Sequence, residues 1–530
     1  MNHGSIECLS CTFDSWNQRS VDMQGHMKQN TILLVNPPFY RLYKETYSSI
    51  RYPLSLGYLA GTIKRETDWR VFVYNADFAT GSEAWLMSYL SGAGFSNYLR
   101  NLKDMSGRIW DEAKSTMARY RPVVVGIYCC AGNLASSKII GRLAKEINKQ
   151  TIVVMGGPHP TAVGSQTLAD SNVDVVVKGE GEKTIVELLD ALSKGESFAG
   201  IKGIIFREGQ EIVETPNRKL IENLDTLCFP HQYAQEVLID FDKHPKSAFK
   251  NILATRGCPY NCFFCGSSCI WGRRTRFRSV EGVTEEIKSL QKMGINRISF
   301  VDDTFGIDKE YTHRLCDSLV HNCPRERWDC ETRVDLVDEK LFIHMKKAGC
   351  HSVSLGIESG NNEILKKVRK GITVEQALSA VKIIRNHGIK LTAFFIIGTP
   401  WETEDTLNDT FITMQRTRGL LNYSIFTPYP GTEAFEYCRK NGLIKEDYDP
   451  VLYNHQSPEN CFCTNIQKEK FRQLASRIER YVDQHNTRER LLSTFSLDTL
   501  YDVRNYGLRW SLKILKNLLN VHSPGQTSTD

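Results

Sequence analysis

Two runs of strand–helix alternation, divided by a stretch that lacks it, constrain this chain more than any other feature. In the first, Thr31–Asn36 (TILLVN), Arg70–Asn75 (RVFVYN), Pro122–Tyr128 (PVVVGIY), Thr151–Met155 (TIVVM) and Val173–Val177 (VDVVV) read as short buried strands. Helical spacing covers Leu54–Lys64, Ser136–Ile147 and the residues up to Leu192. Such alternation predicts an α/β domain built on a doubly wound parallel sheet over residues 29–210, after a polar leader, 1–28. Gly156-Gly157 and Gly179-Glu180-Gly181-Glu182 fall at the carboxyl ends of strands, where such sheets hold ligands. Residues 211–245 read as a linker. Between 246 and 440 a second series runs through Ile252–Thr255, Arg297–Val301, Trp328–Thr332, His351–Gly356, Lys390–Ile397 and Leu421–Thr427, with helices such as Val283–Met293 and Val374–His387. Six units suit a partial, open (β/α)6 barrel better than a closed one of eight. Residues 441–530 read as a helical, polar C-terminal region.

Composition removes several classes of function. Hydrophobic residues at 41% and charged residues at 24% exclude a disordered chain. The net charge of +6 is spread over 530 residues with no dense basic patch, so no nucleic-acid partner is expected. No run approaches the ~18–20 apolar residues of a membrane span. The leader has no apolar segment of the kind that marks secretion, so a cytoplasmic chain is expected. In that compartment the 16 cysteines are buried hydrophobes or metal ligands rather than a disulfide framework.

One cluster of them stands out. Arg256-Gly257-Cys258-Pro259-Tyr260-Asn261-Cys262-Phe263-Phe264-Cys265 directly follows the first strand of the second series. Three thiolates on one loop can hold three irons of a cubane cluster and leave the fourth iron open for substrate chemistry. A zinc site would need a fourth ligand, for which Cys269 is available, but Cys-x3-Cys-x2-Cys-x3-Cys is not a usual zinc spacing. Buried structural thiols are the third reading.

This loop resembles the signature of the radical S-adenosylmethionine (SAM) superfamily, CxxxCxxC with an aromatic before the third cysteine. Cys258, Cys262 and Cys265 match it, and Phe264 takes the aromatic place near the adenine. The resemblance covers Asn251–Gly431 and implies a [4Fe-4S] cluster whose open iron is chelated by SAM. Reduction by a flavodoxin- or ferredoxin-type donor then cleaves SAM to a 5′-deoxyadenosyl radical. It also directs attention to strand ends. Asp302-Asp303-Thr304 stands where many relatives carry Gly-Gly-Glu, so either aspartate is a candidate for the ammonium of SAM. Glu358 in Gly356-Ile357-Glu358-Ser359-Gly360 suits the ribose or amino-acid part, and Gly398-Thr399 the adenine. Arg333 and Tyr429 end the third and sixth strands. The competing readings are helix capping for the carboxylates, a surface ion pair for Arg333 and packing for Tyr429.

The first series resembles the Rossmann-like cobalamin-binding domain of class B radical SAM enzymes. The resemblance rests on Asn36-Pro37-Pro38, Arg51-Tyr52-Pro53-Leu54-Ser55-Leu56-Gly57-Tyr58, Gly156-Gly157-Pro158-His159 and Gly179-Glu180-Gly181-Glu182. It makes Pro37, Gly156, Gly157, Gly179, Glu180 and Gly181 candidate corrin contacts, with His159 a candidate for the nucleotide tail or else a loop histidine. A degenerate domain without ligand is the alternative. The DxHxxG motif that places an imidazole below cobalt is absent, and Tyr128, Cys129 and Cys130 end the third strand on that side, though the two cysteines also read as ordinary buried thiols.

The resemblance implies a cobalamin-dependent radical SAM methyltransferase. It would act on an unactivated carbon, or a phosphinate phosphorus, of a small-molecule, natural-product, lipid or tetrapyrrole substrate. The family includes hopanoid and antibiotic-pathway C-methylases, P-methylases and the oxygen-independent magnesium-protoporphyrin ester cyclase. An oxidative cyclase or carbon–carbon coupling enzyme without corrin is the runner-up, and a non-catalytic iron–sulfur or corrin-binding protein the remote one. Cys438 and Cys461-Phe462-Cys463 are too few and too oddly spaced for an auxiliary cluster. A basic amphipathic stretch, Leu508–Leu519, reads as packing against the barrel or as peripheral membrane contact.

Overall fold

Two mainly parallel sheets organise the computed structural model, which describes residues 30–81, 87–324, 326–445, 448–452, 454–455 and 457–494. The first contains β1 (Thr31–Asn36), β2 (Arg70–Asn75), β3 (Val124–Tyr128), β4 (Ile152–Gly156) and β5 (Val175–Val177), all parallel. An antiparallel hairpin, β6 (Ile204–Glu208) and β7 (Glu211–Glu214), extends it, giving the order β2-β1-β3-β4-β5-β6-β7. β1 and β3 are buried along nearly their whole length because helices cover both faces, which is why they read as unbroken Val, Ile and Leu runs. Strand order reverses between β1 and β3, so the crevice at their carboxyl ends is the sheet's natural binding position.

Two features depart from the sequence expectation. The sheet runs to Glu214, past the boundary expected at 210, because Gly209, at φ +63°, turns β6 back into β7. β7 is mostly exposed and half charged, so its apolar signal is weak. Helices Ala93–Lys103 and Arg108–Tyr120 fill the long β2–β3 connection and bury Tyr98 and Trp110. The linker then straps back across the first sheet, where Ile239 N–H donates to the Val73 carbonyl at 2.9 Å.

The second sheet starts at β8 (Asn251–Ile252). The first barrel strand, expected over Ile252–Thr255, is split. β9 (Thr255–Arg256) leaves the sheet and pairs antiparallel with β10 (Arg276–Phe277), carrying the thiol loop across the top of the barrel. The remaining strands are β11 (Arg297–Phe300), β12 (Arg327–Arg333), β13 (Cys350–Glu358), β14 (Lys390–Ile397) and β15 (Leu420–Ile425). They lie parallel in sequence order with β8 and β15 at the two edges, an open six-stranded barrel.

The β15 edge is covered by the helix Lys468–Thr494. Asn486 mimics a neighbouring strand there: its Oδ1 accepts the Leu421 N–H at 2.8 Å and its Nδ2 donates to the Leu421 carbonyl at 2.7 Å. One apolar cluster runs from Leu34, Val154 and Val177 through Phe249 and Ile252 into Phe300 and Phe395, so the two sheets share a core. No helix among the described residues is long and apolar enough to cross a membrane, and the stretch Leu508–Leu519 lies outside the described residues.

Candidate active site between the two sheets

Three adjoining cavities fill the space where the carboxyl ends of both sheets meet. An apolar groove of 360 Å³ lies over β3, β4 and β5 and is bounded by Tyr58, Arg256 and Trp271. A cavity of 590 Å³ between the domains is lined by Pro37, Tyr40, Tyr128, Cys130 and His159 on one side and by Cys269, Tyr429 and His455 on the other. A third, of 500 Å³, occupies the barrel mouth. Asp303 lines all three.

Cys258, Cys262, Phe264 and Cys265 form one wall of the barrel cavity. The loop's path is set by its backbone. Gly257 has φ +95°, where a Cβ would collide with the Arg274 carbonyl, and its N–H donates to Asp303 Oδ2 at 3.1 Å. Phe263 points the other way, packing against Trp401, Phe426 and Tyr437, while its N–H donates to the Val368 carbonyl at 3.0 Å. With that anchor fixed, Cys258 Sγ lies 3.4 Å from Thr304 Oγ1, and an Arg333 guanidinium nitrogen lies 3.4 Å from Cys262 Sγ. Burial pushes the Cys265 thiol up to about 11 in the bare chain.

Among the described residues no three His, Cys, Asp or Glu side chains close on one point as a single metal ion requires. Cys269 is not available as a fourth ligand. It sits on the helix Ser267–Trp271, lines the interdomain cavity and donates to the Gly431 carbonyl at 2.7 Å. Three thiols on one loop, lining one wall, are the donor set of a cluster with one iron left open.

The strand ends contribute unequally. Glu358 and Lys370 form a buried ion pair of 2.6 Å on the cavity wall. Gly356 lies beneath it, and a Cβ there would stand 2.5 Å from Glu358 Oε1 and 2.8 Å from Lys370 Nζ. Arg333 is buried rather than in a surface ion pair. It stacks 3.5 Å over the Tyr260 ring, pairs with Asp335 at 2.9 Å and donates to the Lys370 carbonyl at 2.5 Å. Lys370 and Glu331, which also lines this cavity, escaped the sequence reading because neither belongs to a motif.

Of the two aspartates, Asp303 faces the cavities. Asp302 points into the barrel wall, where its Oδ1 accepts the Thr255 N–H and, at 2.6 Å, the Thr255 hydroxyl. Burial pushes its carboxyl up to about 7. It holds β9 where the split strand departs. Gly398 and Thr399 likewise do not line the cavity. Gly398, at φ +89°, is required because a Cβ would stand 2.6 Å from the Phe471 ring. Both backbone N–H groups are spent on Glu402, whose carboxyl burial pushes up to about 8. Tyr429 stands at the junction of the barrel and interdomain cavities, its hydroxyl 3.5 Å from Nδ1 of His455. Burial lowers His455 to about 4, so it is neutral near pH 7. It was invisible in the sequence, being a lone histidine in a polar region.

On the first sheet, Gly156, Gly157, Gly179 and Gly181 line the apolar groove. Gly179, at φ +70°, has nothing within 4 Å of the place a Cβ would take: the groove is open there because the residue is glycine. Gly157, at φ +119°, lies against Cys129, whose carbonyl would be 2.6 Å from a Cβ. His159 donates its N–H to that carbonyl at 3.2 Å and carries an unpartnered Nδ1, with burial lowering its pKa to about 4. Cys129 is a buried core thiol, whereas Cys130 reaches the interdomain cavity.

Glu180 does not offer its carboxylate to the groove. It accepts from Arg256 at 2.7 Å, from Arg276 at 2.9 Å and from the Ile221 N–H at 2.6 Å. Glu182 takes the other arm of Arg256 at 2.7 Å. The apolar, glycine-floored groove, at 360 Å³, has room for only part of a large macrocycle with its tail, the rest of which would extend into the adjoining cavity of 590 Å³; the donor set on the facing wall fits a three-thiolate cluster.

An open parallel barrel with three thiols at its mouth, joined to a doubly wound sheet with glycine turns, defines a two-domain radical SAM protein. Residues 252–413 match the Radical SAM superfamily and residues 41–189 match the B12 binding domain. A protein of Pyrococcus horikoshii named as an uncharacterized methyltransferase is 34% identical over 423 residues, covering 79% of this chain and 85% of that one. The anaerobic magnesium-protoporphyrin IX monomethyl ester cyclase of Rubrivivax gelatinosus is 29% identical, covering 71% of this chain and 68% of the cyclase. The fold matches that of the cobalamin-dependent S-adenosylmethionine radical enzyme OxsB, solved with aqua-cobalamin and S-adenosylmethionine, at a TM-score of 0.65. That match covers 96% of this chain and 80% of OxsB at 16% identity. The chain belongs to the B12-binding radical SAM family.

Proposed function

We propose that this protein is a cobalamin-dependent radical SAM methyltransferase acting on a small molecule. The observation that carries this reading is that the three cavities adjoin and share Asp303, with a glycine-floored groove on one side of the interdomain cavity and a three-thiol wall on the other. Cys258, Cys262 and Cys265 would hold the cluster, and Gly156, Gly157, Gly179 and Gly181 would bed the corrin. Bound there, the cluster with SAM supplies hydrogen-atom abstraction and the corrin supplies a methyl group.

The chain's own residues then bind, orient and keep water out. Phe264 would stack on an adenine, and Asp303, a carboxylate that faces all three cavities, would take an ammonium. Arg333 and Lys370 offer cations to a carboxylate, with Glu358 setting the position of the Lys370 ammonium. Phe394, Phe395 and Phe426 make the inner wall apolar, which shields reactive species from solvent. Tyr429 and His455, both neutral near pH 7, stand where the substrate must lie between the two cofactor sites. A flavodoxin- or ferredoxin-type donor would supply the electron.

The test is anaerobic reconstitution with iron, sulfide and hydroxocobalamin, followed by turnover with SAM, a low-potential reductant such as dithionite or reduced flavodoxin, and a metabolite extract. S-adenosylhomocysteine formed together with 5′-deoxyadenosine, and a product heavier by one CH2, is the expected result. 5′-Deoxyadenosine alone would favour the second reading, an oxidative cyclase, which the identity to the Rubrivivax gelatinosus enzyme supports.

A further inference from the structure

We propose that Arg256 and Trp271 are positioning residues that couple occupancy of the glycine-lined groove to binding at the thiol loop. The inference rests on reading groove and loop as corrin and cluster sites. Arg256 is two residues before Cys258, yet its guanidinium bridges Glu180 and Glu182, at 2.7 Å each, on the turn that also carries Gly179 and Gly181. It is stacked between Tyr58, at 4.7 Å, and Trp271, at 5.4 Å. Arg276 adds a second guanidinium, bound to Glu180 and packed 5.6 Å from Trp271. All four charged groups are buried. Separating such a network strands charges away from water, so the loop resists displacement of the turn.

The loop is tied a second time beyond Cys265. The helix Ser267–Trp271 is packed where Gly431 meets the first domain: a Cβ on Gly431 would stand 2.6 Å from Ala162 Cβ and 3.0 Å from Cys269 Sγ. The thiol loop is therefore bracketed at both ends by walls of the first domain's cavities, and Trp271 lines two of these cavities at once. A ligand filling the groove restrains Tyr58, Trp271 and the 179–182 turn, which leaves less ordering for the loop when the second ligand binds. Linkage makes the effect reciprocal.

The experiment uses full-length protein with a reconstituted, oxidised cluster. SAM affinity is measured by anaerobic calorimetry with and without bound hydroxocobalamin, in the wild type and in Arg256→Lys and Glu182→Gln. Lysine keeps the charge but cannot span two carboxylates, and glutamine removes one anchor. The wild type should bind SAM at least about fivefold tighter when the corrin is present, and both variants less than about twofold. Cluster iron content and corrin retention serve as controls. Equal SAM affinity with and without corrin in the wild type, or full coupling in both variants, overturns the proposal. So does lower thermal stability with unchanged coupling, the signature of a merely structural role. Should Arg256→Lys fail to fold, Glu182→Gln decides. A wild type that retains no corrin sinks this proposal and the functional reading together, whereas independent binding of both ligands sinks only the coupling.

Discussion

Lys370 Nζ lies 2.6 Å from Glu358 Oε1, directly over a glycine, Gly356, whose missing side chain makes room for the pair. Glu358 itself has φ +71°, the left-handed region that a non-glycine residue enters only under constraint. Glu358 also stands at a register irregularity of β13 against β14. Lys370→Met should leave the Glu358 carboxylate buried and unpaired and destabilise the fold by about 3–5 kcal/mol. Lys370→Met with Glu358→Gln together should recover much of that loss in urea unfolding, while SAM affinity stays low.

Cys262→Ala removes the thiol that faces Arg333. The expected outcome is loss of SAM cleavage, read as absent 5′-deoxyadenosine, with the fold retained by circular dichroism. Full turnover in this variant would refute the cluster assignment.

Gly179→Val fills the open floor of the groove and forces a β-branched residue to φ +70°. Corrin retention should fall at least about tenfold, while cluster iron content stays near that of the wild type; a tenfold change corresponds to about 1.4 kcal/mol. The visible spectrum of the reconstituted protein, with iron quantified separately, reads both.

Glu402 predicts a pH dependence. Its folded-state pKa, raised by burial to about 8 from 4.5, means the native state holds a proton that the unfolded chain has lost between those values. That contribution to stability is full below about 4.5 and is lost as pH rises through about 8. Glu402→Gln should therefore lose less stability than the wild type as pH rises across that interval. Buried His159 and His455 act oppositely: lowered to about 4 from 6.5, they take stability away as pH falls through that window. Thermal melting across both ranges checks the two signs.

Asn486→Ala leaves the Leu421 N–H and carbonyl on the β15 edge without their side-chain partners. A loss of about 1–3 kcal/mol in denaturant unfolding is expected. An edge strand so exposed should also raise light scattering on heating.

Much of this architecture was legible because it is encoded locally. Runs such as TILLVN and PVVVGIY declare buried parallel strands through composition alone, and the spacing of Cys258, Cys262 and Cys265 lies within one loop. The β6–β7 hairpin was lost because β7 is largely exposed and carries little apolar signal. The first barrel strand is split for another reason: Ile252 and Thr255 look like one run, but Thr255 is held by Asp302 and paired with β10, both distant in the chain.

What the amino-acid sequence determined by itself, then, was periodicity and spacing: two sheets, glycine turns at strand ends and three thiols on one loop. Tertiary structure alone decided which partners those residues keep. It turned Asp303 rather than Asp302 to the cavity, gave Gly398 a phenylalanine to accommodate, and recruited Lys370 and His455. It also spent Glu180 on Arg256, 76 residues away. The reason is physical. Backbone periodicity follows from near neighbours, whereas a buried charge takes whichever counter-charge the packed sheets bring within hydrogen-bonding distance, and that is settled only when both domains are folded together.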